Sequence, residues 1–283
     1  MARPLKVGVQ LPEIEYEPRW SSLAEMARLA EAIGLDSVWV GDHYLYRRAD
    51  GARGPWEAWT QLAAIAAVTS RVEIGPLVAS TSFHAPGVLA KMAATVDEIS
   101  GGRLILGLGA GWNEAEYRAF GFPYDHRVSR FAEAFTIIRT LLREGRIDFE
   151  GEYYTITEAA APPLPEVVPP VCIGANGEQI CLPLAGRIAD MWHNGGRDEA
   201  AWLRKRDIVR ASADAAGRDP DSIETGITIE RPLPESDAES AEFLESIGRW
   251  REVGVDHFVM DFGNPASTDP ILRFSEQVIS PLR

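Results

Sequence analysis

VEIGPLVASTSFHAPGVLAKMAATVDEISGGRLILGLGAGWNEAEY, the stretch from Val72 to Tyr117, decides the fold. Its first residues, Val72–Val78, are rich in β-branched and apolar residues and read as a strand. Apolar residues then recur at helical spacing from Val88 to Ile99, and a Ser-Gly-Gly stop follows. A second buried strand, Arg103–Leu108, ends in a glycine-rich mouth. Strand, helix and strand in this order make a βαβ unit, which implies a parallel sheet. The glycines stand at the carboxyl end of their strand, where parallel α/β folds place ligands.

The same rhythm continues on both sides. Strands are expected at Lys6–Leu11, Asp36–Gly41, Val171–Gly174, Asp190–His193, Glu224–Glu230 and His257–Phe262. Helices are expected between them. Ser22 with Glu25 resembles a capping box opening the first helix, which stops at Gly34. Further helices are expected at about Glu57–Thr69, Arg127–Arg143, Glu178–Ile188, Asp198–Ala216, Asp237–Val253 and Ile271–Val278. The stretch from Gly145 to Pro170 is irregular, with five prolines near its end, and reads as a surface excursion. Eight strands, each followed by a helix, favour one closed (β/α)8 TIM barrel spanning 1–283 over an open doubly wound sheet.

Composition narrows the function classes. The length of 283 residues suits one such barrel, and the formal net charge of −14 argues against nucleic acid and anionic membrane surfaces as partners. Cys172 and Cys181 have no paired spacing, and the N-terminus has no signal-like pattern. The expectation is a cytoplasmic enzyme with a small-molecule substrate.

In a barrel the strand ends carry the chemistry. Asp42 and His43 end the second strand, and alternation sends their side chains to opposite sides. His43 suits a general base or a hydrogen-bond donor to a bound ring, or else is a polar rim residue. The run Gly107-Leu108-Gly109-Ala110-Gly111 is no dinucleotide fingerprint, because Trp112 stands where the last glycine would fall. It does offer bare backbone to a flat ring, or simply makes a tight turn. Gly174-Ala175-Asn176-Gly177 precedes an expected helix start, which suits a phosphate, or is an ordinary βα turn. Trp39, Trp56, Trp59 and Trp112 fall on or near strand mouths, where aromatic walls suit a planar ligand or core packing. No metal-ligand spacing and no GxSxG elbow is present, so no metal is expected.

These residues together resemble the bacterial-luciferase-like oxidoreductases. The resemblance is carried by Leu35–His43, Glu57–Gly75, His84–Pro123, Arg127 with Arg130, Phe149–Tyr154, the IGANGE run and Ala185–Trp192. The GWNEAEY form with a DH strand end is most similar to the branch dependent on coenzyme F420.

The resemblance implies a cofactor at the carboxyl mouth: coenzyme F420, with FMN as the alternative. It implies a non-prolyl cis peptide at Leu77–Val78 behind the ring, with His43 beside the reactive centre and Asp42 next to it. Gly107, Gly109, Gly111 and Trp112 would approach the ring. Gly174, Ala175, Asn176 and Gly177 would hold the phosphate, with Arg127 as a further partner. Hydride exchange with a small organic substrate is the expected activity. A reduced-FMN monooxygenase and a non-catalytic flavin-binding protein stay open. Sugar-phosphate dehydrogenases of this superfamily carry a glutamate just after the strand-four glycines; Trp112 stands there, which counts against a sugar phosphate. A homodimer packed through the early helices is also implied, and the small residues of Ala58–Val68 suit close helix approach.

Overall fold

In a computed structural model the structure describes residues 3–15, 17–196, 198–263 and 269–283. Eight parallel strands form the barrel: β1 Lys6–Gln10, β2 Ser37–Val40, β3 Glu73–Pro76, β4 Leu106–Gly109, β5 Val171–Gly174, β6 Met191–Asn194, β7 Glu224–Glu230 and β8 His257–Asp261. They neighbour one another in the order β3-β2-β1-β8-β7-β6-β5-β4. The ring closes between β3 and β4 through a parallel bridge of Ile74 with Leu104 and by Ala79–Ser80 pairing with Leu108 and Gly109. Gly75 permits this closure, since a Cβ there would lie 2.3 Å from the Ile105 carbonyl oxygen. The expected TIM barrel is therefore the observed one.

Nine helices are described outside the strands: α1 Trp20–Ala32, α2 Ala58–Val68, α3 Pro86–Ser100, α4 Glu114–Phe120, α5 Arg127–Glu144, α6 Cys181–Ile188, α7 Glu199–Ala215, α8 Asp237–Glu252 and α9 Asp269–Phe274. Their apolar faces cover the sheet, and the four residues of β2, β4 and β6 are all buried, as strands covered on both faces must be. Trp39, Ile105, Cys172, Met191 and Val259 fill the barrel interior. Below them, at the amino ends of the strands, His257 bridges Ser37 Oγ and Glu224 at 2.7 Å each, and Lys6 reaches Glu224 at 3.2 Å. Burial alone would raise the Glu224 pKa, but His257 and Lys6 hold it down at about 2. No helix among the described residues is long and apolar enough to cross a membrane.

The sequence expectations fail at five places. Strand three is shorter than Val72–Val78, because the chain breaks at a cis peptide between Leu77 and Val78. Ser22 and Glu25 lie inside α1, whose N-cap is Arg19 without a side-chain cap. Within Gly145–Pro170 an antiparallel hairpin forms, Arg146–Glu150 against Thr155–Ala160. Its alternating burial is only partial, so the apolar signal is weak. The short helix α4 was not expected, and α6 starts at Cys181 rather than Glu178. Residues 178–180 form a turn instead, and Ile180 has the non-helical dihedrals φ −126°, ψ −54°.

Candidate active site

A cleft of about 440 Å³ opens at the carboxyl ends of β2 to β6. It gathers Asp42, His43, Leu77, Val78, Gly109, Gly111, Trp112, Arg127 and all of Gly174–Gly177. Of the residues expected at the site, Gly107 alone is not in its lining. A Cβ on Gly107 would lie 1.9 Å from the Pro76 carbonyl oxygen, so this glycine serves the approach of β3 to β4, not a ligand. A larger cleft of about 590 Å³ lies at the opposite end of the barrel, by Arg3, Arg206, Arg210 and Asp256. Its arginines Arg210 and Arg251 are tied to Asp221 and Asp256. In barrels that end supports stability while the carboxyl end carries chemistry.

His43 is held by a residue the sequence reading assigned no role. Glu116, in the first turn of α4, is fully buried and its Oε1 lies 2.8 Å from His43 Nδ1. Its Oε2 accepts from the backbone N–H groups of Tyr44 and Leu45 at 2.9 and 3.3 Å. A carboxylate is an acceptor, so Nδ1 carries a proton and the neutral ring keeps its lone pair on Nε2. Burial alone would lower the His43 pKa; the Glu116 hydrogen bond, with the charges of Glu13, Glu116 and Asp42, overrides it and raises the value. Tyr46 and Trp112 flank the imidazole at centroid distances of 4.8 and 5.6 Å. Tyr46 in turn donates to Glu13 at 2.9 Å. Burial, with Glu13 on the hydroxyl, pushes the Tyr46 pKa up. Burial likewise raises that of Glu13.

Asp42 points the other way. Its Oδ2 accepts from the Ser80 backbone N–H and binds His84 Nε2, each at 3.0 Å, which anchors the chain just after the cis peptide. Its Oδ1 is buried and without a partner among the described residues. Gly111 has φ +73°, and a Cβ there would lie 1.9 Å from the Tyr117 hydroxyl. That hydroxyl donates to the Ala110 carbonyl and meets Ser80 Oγ, each at 2.8 Å. Arg127 Nε donates to the Gly111 carbonyl at 3.2 Å, and its guanidinium lies over Tyr124.

On the far wall Asn194 Nδ2 donates to the Ala175 carbonyl and to Asn176 Oδ1 at 3.2 and 2.6 Å. Lys205 Nζ, from α7, also donates to Asn176 Oδ1 at 2.7 Å. His193 reaches Thr228 Oγ1 at 2.9 Å; burial and nearby His257 push its pKa down to about 3, so it stays neutral. Cys181, His193, Asn194 and Gly195 line this wall without having been expected. The cleft thus joins a buried carboxylate–imidazole pair, a broad floor lined by small residues, and a rim with cations. Such a set can orient a flat ring and move one proton.

The chain is similar to several known proteins. A 34% identical relative from Amycolatopsis mediterranei (strain U-32), matched over 87% of this chain and 74% of its own length, is named F420-dependent glucose-6-phosphate dehydrogenase. Among solved structures, an F420-dependent secondary alcohol dehydrogenase in complex with an F420-acetone adduct superposes with a TM-score of 0.86. It is 22% identical and the match covers 99% of each chain. The monooxygenase RslO1 from Streptomyces bottropensis gives a TM-score of 0.86 at 20% identity, over 99% of this chain and 100% of its own. At these identities the two structures establish the fold. The model of the luciferase-like monooxygenase family matches residues 5–253, nearly nine-tenths of the sequence, and the chain belongs to that family.

Proposed function

We propose that this enzyme exchanges a hydride between coenzyme F420 and a small organic substrate at the carboxyl mouth of the barrel, the whole chain acting as one domain. The observation that carries the reading is the buried Glu116–His43 pair on the wall of a cleft floored by Leu77 and Val78. The name of the 34% identical relative supports the choice of cofactor. The residues fit a tricyclic ring. Gly109, Ala110, Gly111, Gly174 and Ala175 line the cleft with no side chain larger than a methyl. Asp42, Leu77, Val78, Gly109, Gly111 and Trp112 would hold the ring. Arg127 and Gly174 to Gly177 would hold the phosphate.

The deazaflavin, when bound, supplies the hydride chemistry. The chain supplies position and a proton path. Glu116 fixes the tautomer of His43 and leaves Nε2 to accept the hydroxyl proton of an alcohol as it is oxidised, and to return it in the reverse reaction. Its raised pKa makes His43 a stronger base for that step. Trp112 stands where a sugar-phosphate dehydrogenase would have its glutamate, and Glu116, buried and bonded to His43, does not replace that glutamate. Glucose 6-phosphate is among the first substrates to test because the 34% identical relative is named for it. We place the enzyme in the cytoplasm as a homodimer. Exposed Trp20 and Trp56, beside Thr60 and Ala64 of α2, give an apolar surface for that contact.

Titration of the purified protein with coenzyme F420 and with FMN tests the reading. Coenzyme F420 should bind at micromolar concentration or below, and FMN more weakly. Tighter FMN binding with substrate-dependent oxygen uptake would make the protein a monooxygenase. Binding of neither would leave a barrel without flavin chemistry.

A further inference from the structure

The indole of Trp112 is exposed where its backbone is most closely fixed. Arg127 Nε donates to the Gly111 carbonyl at 3.2 Å, the Tyr124 hydroxyl to the Trp112 carbonyl at 3.3 Å, and Asn113 Nδ2 to the Leu45 carbonyl at 2.7 Å. The side chain lines the cleft and is 63% exposed. Its ring meets that of His43 edge to face, with centroids 5.6 Å apart. Tyr46 completes the group, 4.8 Å from His43 and 6.2 Å from Trp112. Its hydroxyl is engaged by Glu13 at 2.9 Å, so the ring and not the hydroxyl is what its aromatic neighbours meet. A large aromatic surface left in water beside a proton acceptor gains free energy from any apolar group that covers it.

The charges at this end of the cleft are of one sign. Those acting most strongly on His43 belong to Glu13, Glu116 and Asp42, all carboxylates. Arg127 is the one arginine or lysine among the described residues of the cleft lining, and the reading above gives it to the cofactor phosphate. Arg48 and Arg53, on the hairpin that carries Tyr46, share Asp50 at 3.8 and 2.6 Å. Arg47 alternates to the opposite face of its strand from Tyr46. A negative group beside the reacting carbon of a substrate would therefore meet carboxylates first.

We propose that the substrate is a neutral alcohol, or the matching ketone, with an apolar and preferably aromatic group on its reacting carbon, that Trp112 with Tyr46 recognises this group, and that the carboxylates around His43 turn away hydroxy acids. The inference rests on the cofactor reading above and names the substrate class of that site.

The test compares wild type, Trp112→Ala and Trp112→Phe, each saturated with coenzyme F420, on α-methylbenzyl alcohol, isopropanol, mandelate and glucose 6-phosphate. Acetophenone, acetone and phenylglyoxylate serve for the reverse direction with reduced cofactor. The first two alcohols differ by phenyl for methyl, and the first and third by methyl for carboxylate. In the wild type kcat/KM should be highest for α-methylbenzyl alcohol, by roughly tenfold or more over isopropanol and over mandelate. In Trp112→Ala the ratio of α-methylbenzyl alcohol to isopropanol should fall to within about threefold, and Trp112→Phe should keep most of it. The ratio is taken within each protein, so a loss that touches all alcohols alike does not move it. Discrimination against mandelate should persist in both variants, because the carboxylates remain. A ratio that Trp112→Ala leaves unchanged overturns the recognition role. A wild type that prefers isopropanol, mandelate or glucose 6-phosphate overturns the substrate class. So does a wild type loaded with coenzyme F420 that neither turns over nor binds α-methylbenzyl alcohol, and the cofactor reading then stands. If the protein loads FMN instead, the cofactor reading falls, and binding of α-methylbenzyl alcohol against mandelate to the FMN-loaded proteins decides the role of Trp112. A protein that loads neither overturns both.

Discussion

Replacing Glu116 by Gln tests the chemistry most directly. The change keeps size and one acceptor oxygen, which can still take the Tyr44 and Leu45 N–H groups that now bond Oε2 at 2.9 and 3.3 Å. The amide NH2 is then left to face His43 Nδ1, where a carboxylate oxygen now lies at 2.8 Å. A donor facing Nδ1 turns the ring over electronically: the proton moves to Nε2 and the lone pair to Nδ1. His43 then cannot accept a proton on the cleft side. The loss should approach the whole value of general base catalysis, about 10²–10⁴ in turnover, or roughly 3–5 kcal/mol of barrier. Stability should fall less, by about 1–3 kcal/mol, because hydrogen bonds to a charged group become neutral ones without a cavity. Removing the charge also removes the largest influence holding the His43 pKa up, so any activity left should depend on an ionisation at lower pH than in the wild type. The assays are single-turnover oxidation or reduction of the bound cofactor across pH and an imidazole NMR titration, with denaturant unfolding as the fold control. Turnover within threefold of wild type, with an unmoved titration, would refute the role given to the pair. A loss confined to cofactor affinity would refute the proton path and leave Glu116 a purely structural anchor.

Gly111→Ala should cost about 2–4 kcal/mol in denaturant unfolding, since its φ of +73° is strained for alanine and the new Cβ would lie 1.9 Å from the Tyr117 hydroxyl. Gly101→Ala, with φ +69° and nothing within 4 Å, should show only the strain, about 1 kcal/mol. Glu31 accepts from the backbone N–H groups of Ser70, Arg71 and Val72; burial would raise its pKa, but these bonds lower it to about 2. A lowered folded-state pKa gives stability that is complete above the usual value of 4.5 and is lost as pH falls toward 2, so the deficit of Glu31→Gln in thermal melts should shrink over that interval. Light scattering should give twice the monomer mass at micromolar concentration, and a Trp56→Glu variant should move toward the monomer; a monomeric wild type would contradict the dimer.

The barrel was legible because its signals are strong and local. Strands buried on both faces read as short apolar runs between turn residues, and the amphipathic helices α3 and α5 show their stripes plainly. What escaped was weak or depended on distant parts. The hairpin at Arg146–Ala160 alternates only between half-buried and exposed positions, and the prolines after it dominate the composition of that segment. The α1 start at Trp20 makes no use of Ser22 and Glu25, whose spacing imitates a cap one turn too late.

The site divides along the same line. His43 could be found from a strand end, but its partner lies 73 residues away, and the two meet only because α4 leans over the mouth of β2. A local clue to Glu116 existed nonetheless. Glu114 and Arg118 form an i,i+4 ion pair on the exposed face of α4, at 2.8 Å. Two residues along a helix turn about 200°, which puts Glu116 on the opposite, inward face. A glutamate turned inward beside Tyr117 needs donors, and the backbone of Tyr44 and Leu45 together with His43 are what it finds. The glycines carry the converse lesson. The glycines at the end of β4 offer bare backbone that suits a ring, yet a Cβ on Gly107 would strike the Pro76 carbonyl, and one on Gly109 or Gly174 would lie 2.7 Å from the Val78 side chain. These three glycines make room first for the bend of the chain itself at Leu77–Val78. That bend places Val78 in the cleft floor, so the surface offered to a ligand is set by the residue the glycines admit. A bulkier residue at 109 or 174 would therefore act on the cleft by displacing Val78.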